Sequence, residues 1–165
     1  MSEKPLVVVM GVSGAGKSTV GIALAGLLEL QFVDADDLHP PANVAKMAAG
    51  TPLTDADRWP WLALVGEALA AAASEGLVIA CSALRRSYRD AIRVAAPTAR
   101  FVHLAVPRPA LDARVVNRPG HFMPASLLDS QLETLEPLEP DEAGFALDSE
   151  GGVDVTAERA YVKLS

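Results

Sequence analysis

The stretch LVVVMGVSGAGKS, residues 6–18, runs from five apolar residues directly into a glycine-rich octet. The octet, GVSGAGKS, fits the spacing Gly-x-x-x-x-Gly-Lys-Ser, and it follows an apolar strand pattern and opens a helical one, the context in which this spacing binds phosphate. Glycines let the backbone curl with its N–H groups pointing inward at the positive end of a helix dipole. The backbone of Gly11, Val12, Ser13, Gly14, Ala15 and Gly16 is therefore expected to cradle the phosphates of ATP, with Lys17, Ser18 and Thr19 following at the helix start. Lys17 neutralises the β and γ phosphates. The Ser18 hydroxyl supplies an oxygen to Mg2+, a hard cation that takes few protein ligands and keeps several waters.

Outward from this loop, apolar runs alternate with helical patterns. Strands are expected at 6–10, 31–33, 77–81, 100–106 and 145–147. Helices are expected at 17–30, 41–49, 55–74, 87–95, 109–117, 125–135 and 157–164. Such alternation implies an α/β fold, a five-stranded parallel sheet flanked by crossover helices. At 165 residues the chain is one domain, 1–165, long enough to bury roughly 70% of its unfolded surface. Thr54 is placed to cap the helix at 55–74, with Asp57 in its first turn where the dipole favours an anion, and Gly76 is placed to stop it. The Pro-Glu stretch at 136–142 reads as a loop between elements.

Composition narrows the function classes. Half the residues are apolar and 21% are charged, as in a soluble globular protein. No apolar run reaches the ~18 residues of a membrane span, since the longest candidate, 59–73, is interrupted by Glu67. The apolar run at 6–10 is too short for a signal-peptide core, so a cytoplasmic location and no membrane partner are expected. Cys81, the single cysteine, has no internal disulfide partner and reads as a small buried residue. A net charge of −7 argues against general nucleic-acid binding. The charge is unevenly placed: 85–118 holds eight Arg against Asp90 and Asp112, whereas 129–158 holds ten acids and no base. That asymmetry suggests a local anion site within an acidic protein.

The receiver of the phosphate is read from DADDLHP, residues 34–40, at the carboxyl end of the second strand. Strand ends in such sheets face the ligand crevice. Asp34 is a candidate to orient Mg2+ or its waters. Asp36, two residues on and on the same side of an extended chain, is a candidate to accept the proton of a substrate hydroxyl. Asp37 caps the turn or faces solvent.

Three longer blocks then carry a resemblance. DADDLHPPANVAKMAAGTPLTDADRWPWL (34–62), CSALRRSYRD (81–90) and RPGHFMPASLLDSQLETLEP (118–137) resemble the gluconate kinases, and with the phosphate loop they span about the first 140 residues. The resemblance implies ATP-dependent phosphorylation of D-gluconate to 6-phospho-D-gluconate, a fold similar to shikimate and adenylate kinases, and a homodimer. Gluconate carries one carboxylate and five hydroxyls, so its site should pair an Arg with the carboxylate. Arg58 or Arg89 is the expected clamp, with His39 in the same pocket, while Lys46 reaches either substrate or solvent. Trp59 and Trp61 are expected in the core under their helix.

Residues 114–124 resemble the lid of such kinases, which closes over ATP and excludes water. Arg118 would neutralise charge on the transferring phosphoryl group, completing a catalytic set of Lys17, Asp36 and Arg118. Arg114 would lie against the adenine ring, and His121 would serve the substrate side through lid closure or a structural contact. Ala35 stands where the family commonly has Gly, and Arg85 where it commonly has Lys. The rival readings are a kinase of another small hydroxy acid such as shikimate, and a nucleotide-binding switch without transfer activity.

Overall fold

β1 (Leu6–Met10) is apolar and buried at every position, the condition of a strand covered on both faces. The computed structural model describes residues 4–12, 14–111, 125–148 and 151–165, the side chains of 125–128 excepted. The other strands are β2 (Phe32–Asp34), β3 (Leu77–Ala80), β4 (Arg100–Leu104) and β5 (Gly144–Leu147). They form one parallel sheet of order β2-β3-β1-β4-β5, with Val8 in register with Ile79 on one side and Phe101 on the other.

The helices are α1 (Lys17–Leu28), α2 (Pro41–Ala48), α3 (Asp55–Ala71), α4 (Arg86–Ala95), α5 (Ala125–Thr134) and α6 (Gly152–Leu164), with a 3-10 turn at Ala35–Leu38. The period-two alternation of strand side chains divides the core in two. Leu6, Val8, Met10, Ile79 and Phe101 pack with Leu62, Val65 and Leu69 of α3 and Ile92 of α4. Val7, Val9, Val78 and Val102 pack with Val20 and Leu24 of α1 and Ala157 and Ala160 of α6. Cys81 lies in the first layer, and burial pushes its thiol up to about 12, so it stays protonated and inert as a core residue.

The expected elements are found with bounds shifted by a few residues. α6 begins five residues before the expected 157, after Gly151 turns the chain in a left-handed conformation. Of the helix expected at 109–117, residues 108–111 are helical and the remainder lies outside the described residues. α3 starts with the expected capping box: the Asp57 N–H donates to Thr54 Oγ1 at 3.2 Å, and the Thr54 N–H donates to Asp57 Oδ2 at 2.9 Å. The chain leaves this helix through Gly76 at φ +79°, where a Cβ would come within 2.7 Å of Leu30 Cδ2 and 3.0 Å of the Pro5 carbonyl. The two tryptophans part company. Trp61 is buried, but Trp59 is 41% exposed and meets only the edge of Tyr88, correcting the expectation of a core position for both.

The arginine-rich and acid-rich runs largely neutralise each other. Arg86 pairs with Glu139 and Asp141, Arg108 pairs with Asp129, and the Glu136 carboxylate accepts from the Arg86 N–H at the start of α4. Arg89 and Glu142, both 0% exposed, form a two-pronged pair at 2.7 and 3.0 Å, and Arg93 adds a third bond to Glu142 at 2.6 Å. Among the described residues, this part of the uneven charge is an internal complement that straps 136–142 onto α4.

Burial pushes the Glu142 carboxyl up, but the bonds from Arg89, the Glu139 N–H and Arg93 outweigh it and hold the pKa at about 2. A carboxyl depressed in the folded state contributes stability above its ordinary range and loses it as pH falls toward the folded value. The protein should therefore lose stability between its ordinary 4.5 and about 2. Glu142→Gln should lower the denaturation free energy at neutral pH by about 3 kcal/mol, because it strands the buried Arg89 charge, while Arg93 keeps Asp90. Urea melts over a pH series check both points: the variant should show a shallower acid loss, and an unchanged slope would remove Glu142 from it.

Candidate active site

In a parallel sheet every strand delivers its carboxyl end to the same edge, and ligands bind in the crevice outside it. Loop 11–18 leaves β1 at this edge, Asp34 ends β2, and Ser82 follows β3. The Gly11 N–H donates to the Ser82 carbonyl at 3.3 Å, and the Ala15 N–H donates to the Val12 carbonyl at 3.2 Å, closing the loop on itself. Gly16 takes φ +90° and ψ 24°, a left-handed turn that glycine adopts cheaply, and so directs the chain into α1. The first turn of α1 carries no side-chain cap and no acid. The positive end of its dipole therefore faces the loop without an acid of its own, which suits phosphate. The Lys17 ammonium lies over the loop and donates to the Val12 carbonyl at 3.0 Å. Gly14 is half-buried, Thr19 is exposed at the helix start, and Ser13 lies outside the described residues.

Ser18 and Asp34 meet as expected: Ser18 Oγ donates to Asp34 Oδ2 at 2.8 Å. The other carboxylate oxygen, Oδ1, accepts the Asp36 N–H at 3.0 Å, which starts the 3-10 turn and sends the two acids in different directions. A hydroxyl and a carboxylate are hard oxygen donors and fit Mg2+. Among the described residues no group of three or more His, Cys, Asp or Glu is placed to hold a metal. A cation here would rest on these two oxygens together with phosphate and water.

The residues expected on the acceptor side lie on the turn after β2 and on α2, α3 and α4. The Asp36 side chain is 81% exposed. Crowding by the protein raises its pKa, as does the Asp34 carboxylate, while Lys17 and His39 pull it down. The pull of Lys17 places the phosphate loop and the acceptor acid in one electrostatic field. The His39 side chain is only 3% exposed. Its ring stacks on Trp61 at 4.2 Å and 13°, and Trp61 Nε1 donates to the Ala35 carbonyl at 2.7 Å. Burial lowers the His39 pKa, Asp36 opposes this and Arg58 adds to it, so the ring is neutral near pH 7.

Arg58 is braced from two sides. Its Nη1 donates to the Tyr88 hydroxyl at 3.2 Å and reaches Asp55 Oδ1 at 3.5 Å, while the Tyr88 hydroxyl donates to Asp55 at 2.6 Å. The guanidinium sits 5.4 Å from the Tyr88 ring centroid, with 29% of the side chain exposed. An arginine held this way keeps free donors in a fixed orientation. Lys46 is bound to Asp57 at 2.7 Å, and this bond, followed by the Thr54 N–H, holds the Asp57 carboxyl at about 2.

Arg89 does not join this group. Its guanidinium is committed to Glu142, to the Ala83 carbonyl at 3.0 Å and to the Pro137 carbonyl at 3.3 Å, which leaves Arg58 as the candidate for the expected clamp. Arg114, Arg118 and His121, with the rest of 114–124, lie outside the described residues. Sequence reasoning missed Asp55, Tyr88 and Asn43, whose amide meets His39 at 3.2 Å. Asp55 stands three residues from Arg58 on α3, a spacing that brings side chains together on one helical face, and Asn43 stands four residues after His39, which precedes α2. Tyr88 is 30 residues from Arg58 and carries no local signal.

A family model described as an AAA domain matches residues 6–138. A gluconokinase of Gluconobacter oxydans (strain 621H) is 50% identical over 161 residues, covering 96% of this chain and 90% of that protein. The chain belongs to the gluconokinase family. The thermosensitive gluconokinase of Escherichia coli (strain K12) is 44% identical over 137 residues, covering 82% of this chain and 73% of that one. A gluconokinase structure from Sinorhizobium meliloti 1021 superposes with a TM-score of 0.87 at 47% identity, covering 98% of this chain and 93% of that chain. As a gluconokinase-family kinase, the protein carries its phosphate loop in the single α/β sheet of those structures.

Lys17→Ala should cut turnover by about a hundredfold or more, as removal of a preorganised charge from a transition state does, with the circular dichroism spectrum unchanged. Retained turnover in a folded variant would take the loop lysine out of the mechanism.

Proposed function

We propose that the protein transfers the γ-phosphoryl group of ATP to the 6-hydroxyl of D-gluconate, giving 6-phospho-D-gluconate and ADP. One observation carries this reading: a single crevice edge sets the phosphate loop beside Asp36, with Arg58 held ready by Asp55 and Tyr88. The half-identical gluconokinase relative supports the choice of sugar acid. A shikimate-like acceptor or a switch without transfer has no comparable observation behind it.

Phosphoryl transfer leaves little covalent chemistry to the protein, so catalysis is positioning and electrostatics. The loop N–H groups and Lys17 hold the β and γ phosphates at the α1 N-terminus. Ser18 and Asp34 would hold Mg2+, which supplies positive charge to the phosphate oxygens. Asp36 aligns the acceptor hydroxyl and takes its proton as the new O–P bond forms and the bond to ADP breaks. Arg58 clamps the gluconate carboxylate, and His39 lines the same pocket. For 114–124 the reading assigns a lid, in which Arg118 neutralises the transferring group, Arg114 lies on the adenine and His121 aids closure. A homodimer acting in the cytoplasm completes the proposal. Among the described residues no helix is long and apolar enough to cross a membrane.

ADP release from Mg·ATP, measured with gluconate, other sugar acids, free sugars, shikimate and no acceptor, tests the assignment directly. Turnover should appear with gluconate; preference for another acceptor would keep the kinase and discard the substrate. Asp36→Asn should lower turnover by about 10²- to 10⁴-fold with ATP affinity nearly unchanged. Lost ATP affinity would instead reassign Asp36 to the metal.

A further inference from the structure

Asn43 is buried on α2, and the chemistry above gives it no part. Its amide nitrogen donates to the Asp57 carbonyl at 2.9 Å. A backbone carbonyl only accepts, so the nitrogen of this amide, and not its oxygen, must face that way. The same nitrogen lies 3.2 Å from His39 Nδ1. An amide N–H bonds an imidazole nitrogen only where that nitrogen carries no proton. In the neutral ring the proton then sits on Nε2. The ring is held in plane by its stacking on Trp61, itself anchored to the Ala35 carbonyl.

His39 Nε2 faces Asp36 Oδ1 at 4.0 Å, beyond hydrogen-bond distance. An oxygen about 2.9 Å from the nitrogen and about 2.7 Å from the carboxylate bridges that gap at roughly a right angle. A hydroxyl suits this position because it both accepts and donates. A carbonyl or ether oxygen would satisfy only the imidazole, and an ammonium only the carboxylate.

We propose that Asn43 is a positioning residue that fixes His39 as the Nε2–H tautomer, so that His39 and Asp36 together read one hydroxyl of the acceptor. His39 occupies one lone pair of the oxygen and Asp36 takes its proton, leaving the second lone pair to attack phosphorus. The inference rests on the proposed reading that the acceptor hydroxyl binds at Asp36. The charged groups facing the ring are Asp36 from the turn and Arg58 from α3, of opposite sign.

The tautomer is read from long-range 1H–15N correlations of the imidazoles in the full chain at neutral pH, with His39→Gln to assign the His39 signals. Nε2 should carry the proton and Nδ1 should not. The reverse tautomer, or a doubly protonated ring, would overturn the proposal. Asn43→Leu should shift the ring toward Nδ1–H and lower kcat with gluconate about tenfold, the loss of one well-placed hydrogen bond, with KM for Mg·ATP unchanged. A switched tautomer with unchanged kcat would overturn the hydroxyl-reading role. Should Asn43→Leu not fold, the wild-type spectrum decides the tautomer alone. A wild-type protein inert toward gluconate but carrying the Nε2–H ring would sink the substrate and leave the tautomer standing, so the two failures are distinguishable.

Discussion

β1 has no solvent-facing side, and this constraint arranges everything else. A strand covered by helices on both faces can offer a solute only its ends, and in a parallel sheet the carboxyl ends all lie along one edge. The phosphate loop has to stand there because it continues the middle strand. Asp34 and Ser82 arrive at the same edge for the same reason, one at the end of β2 and one just past β3. The loop, Asp34 and Asp36 are neighbours through topology before any side chain has bonded to another.

What keeps that edge in shape is charge from behind it. Ala83, a buried non-glycine residue at φ +43°, sits in a conformation that costs about 1–3 kcal/mol unless its surroundings enforce it. Arg89 holds its carbonyl, and Glu142 in turn holds Arg89 on two prongs. The residue before Ala83 accepts the Gly11 N–H, the first glycine of the phosphate loop. The buried ion cluster thus stands one residue behind the seat of the nucleotide. The cluster reaches that edge through backbone, with the Arg89 side chain fully buried.

The legible parts of the molecule were those encoded locally. The phosphate loop is eight contiguous residues, the strands are apolar runs, and the capping box at Thr54 and Asp57 is a three-residue spacing. What escaped was direction and distance. Trp59 and Trp61 are two apart on a helix, about 200° of rotation, so burying one exposes the other, yet the pattern alone does not choose which. Arg89 was open to a clamp reading because its partner, Glu142, is 53 residues away. The bracing of Arg58 by Tyr88 was hidden for the same reason, while the spacing of His39 and Asn43 was visible without the identity of the donor.

The two sides of the crevice are made of different material. The phosphate side is chiefly backbone: curled N–H groups, a glycine turn and an uncapped helix end, with Lys17 laid across them. Backbone recognises a feature that all nucleoside triphosphates share. The acceptor side is made of side chains that hold other side chains: Arg58 by Tyr88 and Asp55, His39 by Asn43 and Trp61, and Asp57 by Lys46. The buried members, His39, Asn43, Trp61 and Tyr88, are costly to leave half satisfied, so a change in one strains its partner. On the proposed reading, selectivity for the acceptor resides in the braces on α2, α3 and α4 as much as in the groups assigned to touch substrate. The phosphate loop can stay constant on the same sheet while that network is exchanged around it.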